Sequence, residues 1–326
     1  MAEYINIKGQ NIEVVASDPA NPTLGQIWYN STSNTLKGGG VTTAGAWATG
    51  GNLNTARQTL AGAGIQTAAL AFGGDNPSPG FLTATEEYNG STWTSNPTGL
   101  NTAREFPAGT GTQTAALGFG GYTGSPTTAT EEYNGSTWTT VNPMSTARYG
   151  LGGAGIQTAA LGFGGTQDPP LLASTEEYNG TSWTSVNSMN TAKERVAPAG
   201  IQTAALAAGG YSGSISGATE EYDGNSWTTV NSMNTTREAA GGAGIQTAAL
   251  AFGGNNPSPG FLTATEEYDG ISWTSTTSMS TARYGVGGAG TQAAALAFGG
   301  EGTVITAATE EWTGAGSPTT KTITVS

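Results

Sequence analysis

Residues Ala129–Arg148 read ATEEYNGSTWTTVNPMSTAR and return in recognisable form six times. A stretch that recurs at a fixed interval is first of all one unit of an array. Its Tyr, or Trp in the last copy, stands at Tyr88, Tyr133, Tyr178, Tyr222, Tyr268 and Trp312, at steps of 44 to 46 residues. A Glu pair precedes it each time, and a Gly pair lies upstream in every copy, from Gly73-Gly74 to Gly299-Gly300. In five copies a Trp follows the Tyr by five residues.

One unit reads as four strands. The first is almost entirely small, as in Leu60-Ala61-Gly62-Ala63-Gly64. The second runs from Thr67 to Phe72, the third from Thr83 to Tyr88, and the fourth centres on Trp93. Asn89-Gly90, Asn134-Gly135, Asn179-Gly180, Asp223-Gly224 and Asp269-Gly270 join the third strand to the fourth, and such dipeptides suit tight hairpins that need positive φ. Four-stranded antiparallel units of this length predict the blades of a propeller. Small first strands fit an innermost position, and the Trp residues belong between the outer faces of neighbouring blades. The last copy has no Trp after Trp312, whereas Trp47 precedes the first copy without a unit of its own. The expected closure places the Trp47 strand in blade six, so that Trp47, Trp93, Trp138, Trp183, Trp227 and Trp273 all serve in blade packing and closure. The predicted fold is all-β: a six-bladed propeller over residues 41–312, preceded by a small β module over 1–40 and followed by a strand or tail over 313–326. That tail, Lys321 to Val325, is free either to pair with the N-terminal hairpins or to compete with Trp47 for the closing place.

In the N-terminal module, Tyr4-Ile5-Asn6-Ile7 and Ile12-Glu13-Val14-Val15 read as a hairpin around Lys8 to Asn11. A Pro-set linker, Asp18 to Pro22, follows. A second hairpin is expected from Ile27, Trp28 and Tyr29 across a polar turn to Leu36.

Composition removes most chemistry. The chain has 326 residues with no Cys and no His, which excludes disulfides, thiol chemistry, the usual zinc sites and His-based acid-base catalysis. No metal or cofactor is called for. A net charge of -13, with only ten Lys and Arg, argues against nucleic acid and anionic membrane, both of which need clustered positive charge. No apolar run approaches the ~20 residues of a membrane span. The opening MAEYINIKGQ has no secretory pattern, which points to synthesis in a cytoplasm.

Hydrophobic residues, Gly-Gly, Glu-x-Tyr, Trp and Met-x-x-Ala-Arg (Met144 to Arg148, Met279 to Arg283), in that order six times, resemble the Kelch repeat of β-propellers over residues 41–312. The resemblance implies a scaffold for binding or structure, and only occasionally an enzyme. The family's galactose oxidase holds copper through His and Tyr beside a Cys cross-link, and its activity is not carried over to a chain lacking His and Cys. A shorter segment, Gly25 to Thr32 (GQIWYNST) with Leu36-Lys37, resembles one common in bacteriophage tail-fibre and other virion proteins. It implies a non-enzymatic virion structural protein, made in a bacterial host cytoplasm. Its N-terminal module would bind other virion proteins and its propeller a host-surface glycan or protein. A capsid decoration or head-fibre protein and a soluble bacterial binding scaffold are the alternatives, and the sequence sets no oligomeric state.

The Glu pairs hold 12 of the 23 acidic residues, and the Ala-Arg position holds six of the ten basic ones. Those matching counts predict a repeated structural ion pair drawn from Glu86, Glu87, Glu131, Glu132, Glu176 and Glu177 with Arg104, Arg148, Arg237 and Arg283. Whether it forms within a blade or between blades is open. Adjacent strand residues face opposite ways, so Glu86 and Glu87 cannot flank one glycosidic bond as a hydrolytic dyad must. Binding is expected instead in the loops between strands two and three, which differ most among copies, with Phe81, Tyr122, Tyr211 and Phe261 as aromatic contacts.

Overall fold

The computed structural model describes residues 12–19, 26–41, 44–78, 80–258, 260–316 and 318–323. Every regular element among them is a β-strand. The chain divides into two compact units, Met1–Gly45 with Gly314–Ser326, and Ala46–Thr313.

The larger unit contains six four-stranded antiparallel sheets. The first runs Ala61–Ile65, Ala68–Phe72, Thr85–Tyr88 and Trp93–Asn96, and the next four repeat that order. The sixth takes its outer strand from the start of the unit: Ala46–Thr49 pairs with Thr309–Thr313, setting Trp47 opposite Trp312. Innermost strands of successive sheets touch, and the sixth touches the first, so the sheets form a closed, propeller-like circuit. The contact is backbone on backbone. A Cβ on Gly62 would collide with the Gly288 carbonyl oxygen, and one on Gly109 would stand 2.8 Å from Gly62 O. This is why these strands carry so little side chain.

Several contacts repeat between neighbouring sheets. Each outer-strand Trp donates its indole N–H to the Thr before the Glu pair of the preceding sheet: Trp138 to Thr85 at 2.9 Å, Trp183 to Thr130, Trp227 to Thr175, Trp273 to Thr219 and Trp93 to Thr309. Trp47 closes the series on Thr265 at 3.0 Å. Most of these indoles also pack on a Phe ring of that sheet, as Trp138 does on Phe72 at 4.7 Å. Between them lies a clamp that the sequence reading missed. Gln66, Gln113, Gln157, Gln202, Gln246 and Gln292 each donate to two carbonyls of the preceding sheet, Gln157 to Ala116 O and Tyr133 O at 3.0 and 2.7 Å. Its signal was present as a Gln at the same place in every copy.

The smaller unit has its own sheet, ordered Glu13–Val15, Ile27–Asn30, Thr35–Val41, Pro318–Thr322. The 27–30 and 35–41 strands form a hairpin with Tyr29 opposite Leu36. The C-terminal strand pairs with Thr35–Val41, Gly38 opposite Lys321, while Trp47's strand fills the closing place in the larger unit. Residues 4–7 and Val325 lie outside the described residues. Glu13–Val15 pairs in parallel with Ile27–Asn30, Val14 opposite Tyr29. Asp18 anchors the crossover, accepting from the Trp28 indole at 3.0 Å and the Asn30 amide at 2.7 Å, and these bonds hold its carboxyl below the usual range.

Trp47 is only half-buried, whereas the other five outer-strand Trp residues are at most 8% exposed. Strands with fewer buried contacts open first. Amide hydrogen exchange over residues 46–49 is expected to run faster than over 138–141, and equal protection would contradict a weaker closure.

Candidate functional site

A repeated framework of buried side chains sets the backbone of the site. Arg57, Arg104, Arg148, Arg237 and Arg283 are fully buried. Each lies in the connection entering a sheet and reaches under that sheet's third strand. Arg148 donates to Gly164 O, Ser174 O and Glu176 Oε1 at 3.2, 2.5 and 2.9 Å. Arg57 does the same with Gly73, Ala84 and Glu86. Glu131 takes Arg104, Glu266 takes Arg237 at 2.6 Å, and Glu310 takes Arg283 at 2.8 Å. The other carboxylate oxygen accepts backbone N–H groups of the connection, as Glu86 does from Asn54 at 2.6 Å. Burial pulls these guanidinium pKa values down and the paired carboxylate pulls them back. The fourth copy substitutes Lys193, whose Nζ stands 3.3 Å from Glu220 and leaves Glu220 Oε1 without a hydrogen bond.

The second Glu of each pair faces the next sheet. Tyr133 donates to Glu87, Tyr178 to Glu132 at 2.8 Å, Tyr222 to Glu177 at 3.0 Å, Tyr268 to Glu221 at 2.8 Å and Tyr88 to Glu311. The sixth copy carries Trp312 instead of Tyr, so Glu267 meets no phenol, and burial pushes its carboxyl up.

Each framework Arg or Lys fixes the two residues after it at one end of the ring. The second of these is left-handed in all six copies: Thr59, Phe106, Gly150, Arg195, Ala239 and Gly285, with φ between 48° and 63°. Their backbones form a closed cycle of hydrogen bonds. Phe106 N donates to Thr59 O (2.8 Å), Gly150 to Phe106 (3.2 Å), Arg195 to Gly150 (2.6 Å), Ala239 to Arg195 (2.8 Å), Gly285 to Ala239 (3.0 Å) and Thr59 to Gly285 (2.8 Å). Glycine takes this conformation freely. A β-branched or bulky side chain there is a strained exception, and such exceptions gather at functional sites.

Those exceptions line a cavity of about 160 Å³ on the ring axis. Arg195 lies over the Phe106 ring at 5.0 Å and meets Glu194 at 3.8 Å and Glu238 at 3.4 Å. Phe106 also packs against Tyr149 at 6.2 Å and Tyr284 at 6.4 Å. Tyr149 meets Tyr122, Tyr122 meets Phe81, and Tyr284 stacks on Phe261, making a chain of six aromatic rings beside one cation. Burial pushes Glu105, Glu194 and Tyr149 up, and Tyr284 up to about 12.

Of the aromatics expected from the loops, Phe81, Tyr122 and Phe261 join this chain. Tyr211 is not part of it, and its backbone pairs with Glu194. The centre of the site, Phe106, Tyr149, Arg195 and Tyr284, was missed because these residues sit in connections of constant length. No group of acidic side chains among the described residues is placed to hold a metal. Comparison with known protein families finds no match, and neither does comparison with curated proteins.

Two predictions follow from the framework. Lys193→Arg supplies the missing donor to Glu220 and should raise stability by about 1 kcal/mol, whereas Arg148→Met strands Glu176 in the interior and should lower it by about 3–5 kcal/mol. The shifts in urea midpoint test both. Burial and Glu132 raise the Tyr178 pKa above the ordinary 10.0, so the phenol ionises first in the unfolded chain. The advantage of wild type over Tyr178→Phe, about 1.5 kcal/mol, is therefore complete below pH 10 and is lost as pH rises through the raised folded value. An advantage independent of pH would refute the assignment.

Proposed function

We propose that the chain is a six-bladed, Kelch-like propeller joined to a small N-terminal β module, and that it works as a non-enzymatic binding component of a bacteriophage particle, in its tail or a fibre. One observation carries the binding part. Six copies of a nearly constant framework diverge where their connections meet on the ring axis, and four of the six positions there keep side chains in a conformation that favours glycine. Repetition builds the support, and divergence builds the contact surface.

The framework carboxylates support a reading without catalysis. The first Glu of each pair is held by Arg or Lys, and five of the second are held by Tyr hydroxyls. The virion part rests on the resemblance of Gly25 to Lys37, whose Trp28 and Lys37 stand opposite each other in the smaller unit's sheet. That unit is the proposed attachment to other virion proteins, and the axial end of the larger unit is the proposed contact with the host surface.

Proteomics on purified particles, with antibody labelling viewed by electron microscopy, tests this directly. The expected result is label at the tail. Label spread over the head would make the protein a capsid decoration, and absence from particles would remove the virion reading.

A further inference from the structure

Three of the turns that join third strands to fourth hold Asn-Gly pairs, Asn89-Gly90, Asn134-Gly135 and Asn179-Gly180, and no other Asn in the chain precedes Gly. These Asn residues are exposed. Asn134 Oδ1 accepts from Ser136 N and Thr137 N at 3.0 and 2.9 Å, and Asn89 and Asn179 repeat both bonds. Their Nδ2 groups make no hydrogen bond among the described residues. Asn187 and Asn231, each followed by Ser, do the opposite and donate Nδ2 to a carbonyl of the next sheet at 2.8 Å. Two N–H bonds to an amide oxygen draw electrons from its carbon, and an unbonded amide nitrogen is free to leave. The nucleophile next in the chain is the backbone nitrogen of the following Gly, which also donates no hydrogen bond among the described residues. Even a Cβ added to Gly90, Gly135 or Gly180 would come no closer than 3.4 Å to a neighbour, so that peptide has room to swing.

The fourth and fifth copies show the same turn with the amide already replaced. Asp223 and Asp269 stand where the other copies have Asn, and the backbone is unchanged: Asp223 N donates to Ser226 O at 3.2 Å, as Asn134 N does to Thr137 O. Asp223 Oδ1 accepts from the residues two and three further on at 2.8 and 2.7 Å, and Asp269 Oδ1 at 2.9 and 2.7 Å. Hydrogen bonds to an ionised acceptor are the stronger kind. These N–H groups hold both carboxyls below the usual range, so the turn accommodates a carboxylate and favours it over an amide.

We propose that Asn89, Asn134 and Asn179 are sites of spontaneous deamidation in the folded chain, with water as the co-reactant, and that the first three turns are thereby converted to the Asp-Gly form of the fourth and fifth. The Gly nitrogen attacks Asn Cγ. A bond from that nitrogen to Cγ forms, the bond from Cγ to Nδ2 breaks, and the proton of the Gly nitrogen leaves with the amide as ammonia, giving a five-membered imide. Water then opens the ring. Addition at Cγ, with release of the Gly nitrogen from it, restores the main chain and leaves Asp. Addition at the main-chain carbonyl leaves isoaspartate, which lengthens the main chain by one carbon between strands that are paired up to Tyr133 opposite Trp138. Each conversion adds one negative charge.

The test holds the full chain at mildly alkaline pH in water enriched in oxygen-18 and follows it by peptide mapping with mass spectrometry, alongside a synthetic peptide of residues 132–138 as the clock for an unfolded Asn-Gly pair. The expected result is a mass gain at Asn89, Asn134 and Asn179 equal to exchange of an amide for an acid carrying one heavy oxygen, before any change at Asn187 and Asn231 and with circular dichroism showing the chain still folded. No gain at the three sites by the time the peptide has converted fully overturns the proposal, and so does earlier conversion of Asn187 or Asn231. A gain without heavy oxygen overturns the hydrolytic route. Asn134→Asp supplies the product directly. Its thermal midpoint should be no lower than that of wild type, and a lower one overturns the claim that the turn favours the carboxylate.

Discussion

A guanidinium buried without water has to find acceptors inside the protein, and that requirement governs each sheet. Arg148 reaches two carbonyls and Glu176 at once, which fixes the connection, the end of the second strand and the third strand against one another. The pair adds less net stability than its Coulomb energy suggests, because both charges leave water. Its effect is on geometry. Repeated around the ring, it delivers the next two residues of each connection to the same place on the axis, and the candidate site is the sum of those deliveries. Lys193 shows the tolerance of the device, since a point charge holds the carboxylate while giving up part of the directional bonding.

The interfaces between sheets rely on different chemistry. Indole to Thr and Gln amide to paired carbonyls cross every boundary, and phenol to Glu crosses five of the six. This separation has a structural reading. Charge pairs fix each sheet internally, and mostly neutral donors join it to the next. Trp312 departs from the pattern at the seam, where it packs against Trp47 at 5.4 Å and its indole turns to Gln292 O.

Much of this was legible in the sequence because it repeats. Gly-Gly, Glu-Glu-Tyr and Trp mark strand ends and faces directly, and the outer strand absent after Trp312 announced its replacement at Trp47. Other features were hidden for physical reasons. The parallel pairing of Glu13–Val15 with Ile27–Asn30 is set by the neighbour the strand meets, and a short apolar run does not encode that. The axial site was hidden differently: its residues vary without any change of loop length, and a list reading Thr, Phe, Gly, Arg, Ala, Gly looks like filler. Two glycines in six were the trace of a left-handed position. Only the closed hydrogen-bond cycle shows that the other four side chains are held there against their preference.

The closing strand has a consequence for how the chain is made. Trp47 and Trp312 are paired across 265 positions of sequence, so the strand around Trp47 leaves the ribosome long before its partner exists. At ~5–20 residues per second, the wait is roughly 13–50 s. Throughout it, an indole and an unpaired strand edge are exposed, while each later sheet assembles on the one before. Neighbouring chains on the same message carry the same strand and, in time, the same vacancy. Ring closure thus joins the first strand of the unit to be made to one of the last, and the same pairing offered by a neighbouring chain would exchange strands between copies.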